Sequence, residues 1–305
     1  MMMYVISNGE TEISMINELM WRITYRCNKK CQYCFNEIFE DKVNHLCEEK
    51  IDIDYLERFV EKFGIKKVYV SGGEPAVIDN LEEVINKISL FAKIVLFTNG
   101  LLFEKYDVQQ IAEMPIDAIN TTIDLSDIIN FSEYFEVIMD KFKSVKLSNA
   151  SMKVNVQIMI DKQYFDVVNS EGFDFMSSVV DRVLWQPLTV TENSPLYSTT
   201  LEGIGSKEVE IIIKDLKKRN QGEMFEHITN LSEVLGDLSG KSCLMGRRYV
   251  TMNPDMSINI CPHINNYMVT EEELMEIDKK SEPFLCEKFS MRCFCLYSHL
   301  KRRFM

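Results

Sequence analysis

Between Leu19 and Leu188 the chain alternates short β-branched runs with stretches whose apolar residues recur near the helical period. Leu19 to Arg26 reads as a strand that runs straight into a cysteine-rich loop. Asp52 to Phe63 places Ile53, Leu56, Phe59, Val60 and Phe63 on one helical face, and Gly64 ends it. Lys67 to Val70 is a strand, Ser71-Gly72-Gly73-Glu74-Pro75 a turn, and Leu81 to Phe91 a helix with Leu81, Val84, Ile85 and Ile88 aligned. Ile94 to Thr98, Ile119 to Asp124, Lys153 to Ile160 and Arg182 to Leu188 continue as strands, with helical stretches at Ile128 to Phe142 and around Tyr164 to Asp174. Alternating strands and helices of this kind argue for a parallel sheet with helices packed outside. The expected fold class is therefore α/β, with the sheet closed or partly closed as a barrel.

In such sheets the functional residues collect on loops at the carboxyl ends of the strands. The cysteine loop, the Gly-Gly-Glu-Pro turn, Thr98-Asn99-Gly100, Asp124 and Gln186-Pro187 all fall at that rim. From Thr189 to Leu201 the pattern breaks into Thr, Ser, Asn and Pro, which marks a linker, and Lys207 to Leu238 reads as helical. The tail has strands at Arg248 to Met252 and Ser257 to Ile260 around a turn at Asn253-Pro254-Asp255. The expected units are residues 1–190, 191–240 and 241–305.

Nine cysteines are distributed unevenly: four lie between Cys27 and Cys47, none between Asp52 and Lys241, and five from Cys243 onward. No basic start followed by an apolar run opens the chain, and no apolar stretch reaches membrane-spanning length, so the expected location is the cytoplasm. In a reducing compartment thiols remain free, and metal sites explain the clustering better than disulfides. A formal net charge of -13 repels phosphate backbones, so no nucleic-acid partner is expected, and without a spanning run no membrane partner is expected either. The basic end Lys301-Arg302-Arg303 reads as a solvated terminus.

Cys27, Cys31 and Cys34 set three thiolates on one short loop, at spacings of three and two residues. Zinc sites usually close four ligands from two separated pairs. Three cysteines without a neighbouring fourth instead leave one iron of a cubane cluster open. With Tyr33 before the third cysteine, the run resembles the signature of the radical S-adenosylmethionine superfamily. The resemblance implies a 4Fe-4S cluster on these cysteines, chelation of S-adenosylmethionine at the open iron, and its reductive cleavage to a 5'-deoxyadenosyl radical. It further implies a partial (β/α)6 TIM-like barrel. The turn Gly72-Gly73-Glu74-Pro75 would receive the methionine amino group, its glycines letting the backbone approach a ligand and Glu74 supplying an acceptor. Asn99 and Asp124 look like cofactor-binding strand ends of the family. Asn99-Gly100 reads equally as a turn former, and Asp124 as a helix cap. The fifth strand lacks the Gly-x-Ile-x-Gly pattern that some members use near adenine, which leaves adenine contacts unassigned.

Cys243-Leu-Met-Gly246, Asn253-Pro254-Asp255 and Ile260-Cys261-Pro262 resemble the auxiliary-cluster extension of this superfamily, in its longer SPASM or shorter twitch form. Five cysteines cannot complete the seven-cysteine SPASM set, which points to the twitch form and one auxiliary 4Fe-4S cluster. Cys243 and Cys261 would be ligands, completed by two of Cys286, Cys293 and Cys295, with Cys293 and Cys295 preferred. The family usually has glycine where this hairpin has Met256. A zinc ribbon is the alternative for the tail. The spare thiol is either buried and inert or a hydrogen-atom donor. Cys47 reads as a packing residue, and His45, His227, His263 and His299 form no ligand spacing.

The resemblance implies a radical enzyme served by a flavodoxin or ferredoxin-type electron donor. Relatives include peptide maturases, often with an N-terminal leader-recognition domain, and oxidases or dehydratases of sugars and aminocyclitols. About 20 residues precede the first expected strand. A small polar metabolite in a biosynthetic pathway is therefore the expected substrate, a peptide the alternative, and a non-catalytic zinc or iron-sulfur protein the reading from another class.

Overall fold

The computed structural model describes residues 3–5, 11–13, 16–34, 50–188, 196–199, 206–219, 242–243, 249–260, 268–279 and 284–285. In chain order the strands and helices are β1 (Met3–Val5), β2 (Thr11–Ile13), β3 (Glu18–Thr24), α1 (Ile53–Phe63), β4 (Lys67–Gly72), α2 (Leu81–Ile88), β5 (Lys93–Thr98), α3 (Leu102–Lys105), α4 (Val108–Glu113) and β6 (Ala118–Thr122). They continue with α5 (Leu125–Ile129), α6 (Glu133–Ser148), β7 (Lys153–Ile160), α7 (Tyr164–Val168), α8 (Glu171–Val179), β8 (Arg182–Pro187) and α9 (Ser206–Arg219). The tail contributes β9 (Ser242–Cys243), β10 (Tyr249–Met252), β11 (Ile258–Asn259), β12 (Met268–Val269), α10 (Glu271–Lys279) and β13 (Phe284–Leu285).

Strands β3 to β8 pair in parallel in sequential order, each crossover carrying helices, which is the expected partial α/β barrel. Strand alternation sorts the side chains. Leu19, Trp21 and Ile23 of β3, Val68 and Val70 of β4, and Ile94 and Leu96 of β5 are fully buried on one face. The apolar stripe of α1, Leu56, Phe59 and Phe63, belongs to the same core. The other face carries Phe97, Asn120, Asn155 and Arg182 in one row across four strands. On that face Asn155 Nδ2 donates to Asn120 Oδ1 at 2.8 Å, and Gln157 Nε2 to Gln186 Oε1 at 2.8 Å.

Two expected helices are each divided in two. Phe131, at φ 50°, interrupts the first, and Ser132 then caps α6 by accepting from the Phe135 amide. Ser170 restarts the second as α8 in the same way. A side-chain cap competes with the preceding helical hydrogen bonds, and apolar periodicity alone does not register it. The pair α3 and α4 was outside the expected pattern, although Asp107 and Gln110 form a capping box.

The tail hairpin continues the main sheet. β10 pairs in parallel with β3, and β11 and β12 follow antiparallel, giving the order β12-β11-β10-β3-β4-β5-β6-β7-β8. Its turn holds an Asn253–Met256 hydrogen bond of 2.9 Å, and Met256 takes φ 67°. A residue other than glycine thus occupies the left-handed position that glycine usually fills after a type I turn. Cys47, Cys261, Cys286, Cys293, Cys295 and the four histidines lie outside the described residues, as does most of the segment expected between residues 191 and 240. Among the described residues no helix is long and apolar enough to cross a membrane.

Candidate active site

The carboxyl ends of β3, β4, β5 and β6 meet around the loop of Cys27, Cys31 and Cys34. None of the three forms a disulfide, and Cys27 is exposed while the other two are half-buried. The loop closes with the Cys34 amide on the Cys31 carbonyl at 2.9 Å, and the Lys29 amide points at Cys27 Sγ at 3.4 Å. Burial, Asp124 and the neighbouring Cys34 and Cys27 raise the Cys31 thiol, while Lys29 lowers it. The three thiols therefore share one electrostatic neighbourhood. Among the described residues no three potential ligands converge as they would on a single ion. Three separate thiolates on one loop suit a 4Fe-4S cubane, in which each ligating thiolate takes a different iron.

The turn after β4 is zipped to the segment that leads into this loop. The Gly73 amide donates to the Thr24 carbonyl at 2.7 Å, and the Glu74 amide to the Arg26 carbonyl at 2.9 Å. A Cβ on Gly72, at φ +132°, would lie 2.2 Å from Thr24 O, and one on Gly73 would lie 2.1 Å from Arg26 O. The two glycines let the turn pack against the chain's own backbone at the root of Cys27.

Glu74 is fully buried. Its carboxylate accepts from the Ala76 amide at 3.0 Å, the Thr98 hydroxyl at 2.9 Å and the Asn99 amide at 2.6 Å. It caps the short 3-10 turn of Pro75–Val77 and binds the end of β4 to the end of β5. The expected acceptor for S-adenosylmethionine is thus turned inward, because three protein donors already converge on it. Burial raises its pKa above the ordinary 4.5 despite these hydrogen bonds.

Asn99 does more than form a turn. Its Nδ2 reaches Cys27 Sγ at 3.5 Å and Asn28 Oδ1 at 2.8 Å, while its Oδ1 accepts from the Leu101 amide at 3.2 Å. Asp124 occupies the N-cap position of α5 without a side-chain capping bond and instead accepts from the Tyr33 hydroxyl. That contact, after burial, pushes the Tyr33 phenol well above its ordinary value. Both ends of the cysteine loop are therefore tied to the rim, through Asn99 at Cys27 and Asp124 at Tyr33.

The residues that sequence reasoning missed are Lys29 and Tyr134. Lys29 Nζ donates to the Asn99 carbonyl at 3.1 Å and to the Tyr134 hydroxyl at 3.4 Å. Burial lowers the Lys29 pKa, but Tyr134, Asp124 and Cys31 outweigh it and the net shift is upward. Lys29 was visible inside the cysteine motif. Tyr134 lies on α6, with no local signal linking it to the loop. Tyr25, just before the loop, donates to Asn253 Oδ1 at 3.2 Å and so fastens the tail hairpin to the same rim.

Known proteins resemble this arrangement in sequence and in fold. Residues 21–155 match the family model described as Radical SAM superfamily, which spans β3 to the start of β7. A GTP 3',8-cyclase of Staphylococcus carnosus (strain TM300) is 27% identical over 254 residues, covering 72% of this chain and 72% of that protein. One of Staphylococcus aureus (strain Mu3 / ATCC 700698) is 27% identical over 303 residues, covering 86% of each. Among solved structures, Streptococcus suis SuiB aligns with a TM-score of 0.59 at 16% identity, over 88% of this chain and 66% of that one. The chain thus spans just under two thirds of SuiB, and at that identity the likeness speaks for the fold. With the motif match, the parallel barrel and the thiol loop at its rim in agreement, residues 21–155 form a radical SAM superfamily domain, and the chain is an enzyme that uses a 4Fe-4S cluster and S-adenosylmethionine.

Proposed function

We propose that the protein abstracts hydrogen from a small polar metabolite, of sugar or aminocyclitol type, with an auxiliary 4Fe-4S cluster in its tail assisting electron transfer. The cluster and S-adenosylmethionine together supply a one-electron cleavage that ends in removal of a hydrogen atom from an unactivated carbon. The chain's own residues hold and orient. Cys27, Cys31 and Cys34 are the ligands, and the Gly72-Gly73 turn, Asn99 and Tyr33 with Asp124 brace the loop that carries them.

The observation that carries the substrate reading is the row of carboxamides on the concave face. Asn120 and Asn155 are 5% and 7% exposed, and Asn155 Oδ1 has no partner among the described residues. Amide pairs suit hydroxyl and amine groups, to which they both donate and accept. The relatives' name makes GTP a specific second reading. A net charge of -13 works against it, since a nucleoside triphosphate is itself strongly anionic.

Support for the auxiliary site comes from the backbone of the tail. β9 and β13 pair so that Cys243 faces Phe284 and Ser242 faces Leu285, the residue before Cys286. This favours Cys286 as the companion of Cys243, ahead of the Cys293 and Cys295 pair. The Tyr25–Asn253 bond ties the intervening hairpin to the rim of the first site. A flavodoxin or ferredoxin-type donor would deliver the electron.

The test is iron and sulfide content of anaerobically reconstituted wild type and of the Cys27→Ala, Cys31→Ala, Cys34→Ala triple variant. About eight irons against about four supports two cubanes. Iron lost entirely from the variant, with zinc retained, sinks the auxiliary cluster. For the substrate, 5'-deoxyadenosine formation is followed with GTP and with an aminocyclitol panel. Stimulation by GTP with its consumption replaces the first reading by the second.

A further inference from the structure

Lys29 stands midway between Cys27 and Cys31, where a lysine could extend freely into water. Its ammonium turns back instead. Nζ lies 4.6 Å from the centre of the Tyr134 ring, 3.4 Å from the Tyr134 hydroxyl and 3.1 Å from the Asn99 carbonyl. The Tyr134 hydroxyl spends its own proton on that same carbonyl at 2.7 Å, which leaves its lone pairs for Lys29. Gly100 makes the arrangement possible, because a Cβ there would lie 2.2 Å from the Tyr134 hydroxyl. Asn99 completes the circuit by reaching Cys27 Sγ and Asn28 Oδ1 through its side chain. Cation, ring, carbonyl and amide thus join the cysteine loop to the β5 turn and to α6.

We infer that Lys29 is a positioning residue for the first cluster: the Lys29–Tyr134–Asn99 clasp holds the cysteine loop in its ligating form, and the fixed ammonium raises the cluster's reduction potential. The physical reason is charge. One-electron reduction from the 2+ to the 1+ state adds negative charge to a cluster that three thiolates already make anionic. A cation held nearby favours the reduced state. An ammonium free to swing into water would be screened and would contribute little. The ring and the carbonyl keep it in place, beside the Asn99 side chain that reaches Cys27 Sγ.

The experiment uses the reconstituted full chain as wild type, Lys29→Met, Lys29→Arg and Tyr134→Phe. Samples are poised anaerobically with titanium(III) citrate, which gives up the electron and becomes titanium(IV), and are read by EPR. The first cluster is identified as the one whose signal changes when S-adenosylmethionine is added. Lys29→Met is expected to have a more negative midpoint potential, Lys29→Arg to stay near wild type, and Tyr134→Phe to fall between. A wild-type potential in an iron-replete Lys29→Met protein overturns the inference. If Lys29→Met takes up no iron, Lys29→Gln decides, since it keeps a donor to the Asn99 carbonyl without the charge. A lowered potential in Lys29→Gln, or iron uptake by Lys29→Arg alone, supports the role of charge. A wild-type potential in Lys29→Gln, or iron loss in all three Lys29 variants, overturns it.

Discussion

The Glu74 carboxylate accepts the Asn99 amide at 2.6 Å, so the Gly-Gly-Glu-Pro turn and the Thr-Asn-Gly turn move as one piece. Removing Glu74 orphans the Ala76 and Asn99 amides and the Thr98 hydroxyl together. Glu74→Gln retains the shape but turns an amide NH2 toward one of those donors, at an expected cost of about 1–3 kcal/mol. Urea denaturation measures it.

The same carboxyl makes stability depend on pH. Its folded pKa is raised above the ordinary 4.5 by burial, so the folded state holds the proton more tightly than the unfolded chain. That contribution is present below the unfolded value and is lost as pH rises through the folded one. Glu74→Gln should flatten this part of the profile, as compared by denaturation midpoints across the acid range. An unchanged slope would reject Glu74 as its source.

Gly73→Ala forces a Cβ to within 2.1 Å of the Arg26 carbonyl, beside Cys27. Backbone cannot yield cheaply, and overpacking of this kind costs about 1–3 kcal/mol. The expected signature is reduced iron uptake per folded protein. Gly172→Ala, whose Cβ would lie 2.0 Å from the Ile128 carbonyl on the helical layer, should lower stability and leave iron uptake intact.

Asp124 holds Tyr33 and does not cap α5 through its side chain. Asp124→Ala and Tyr33→Phe should therefore have similar effects, each losing about 1 kcal/mol and slowing cluster assembly. Their double variant should be sub-additive in a denaturation cycle. Full additivity would show that the two side chains act separately.

At Met256 the usual order of alanine and glycine should reverse. Its side chain is 9% exposed and its φ is 67°, so both truncations lose packing. Only glycine is relieved of the left-handed conformation, which favours Met256→Gly over Met256→Ala by about 1 kcal/mol. Thermal unfolding of the two variants decides it.

The sequence by itself determined the parallel α/β architecture and the set of loops that carry chemistry. Both are local: strands such as Val68 to Val70 and the α1 stripe of Leu56, Phe59 and Phe63 reveal burial through their own periodicity. The cysteine spacing is local in the same way, since one short loop must supply every ligand. Only the tertiary structure decided what each rim residue touches. Gly72 and Gly73 admit the chain's own backbone at Thr24 and Arg26, Glu74 faces inward, and β10 adds to the sheet beside β3. Tyr134 meets Lys29 across 105 positions. Such contacts are fixed by strand register and crossover packing, where a residue's partner depends on the whole sheet and leaves no mark among its sequence neighbours.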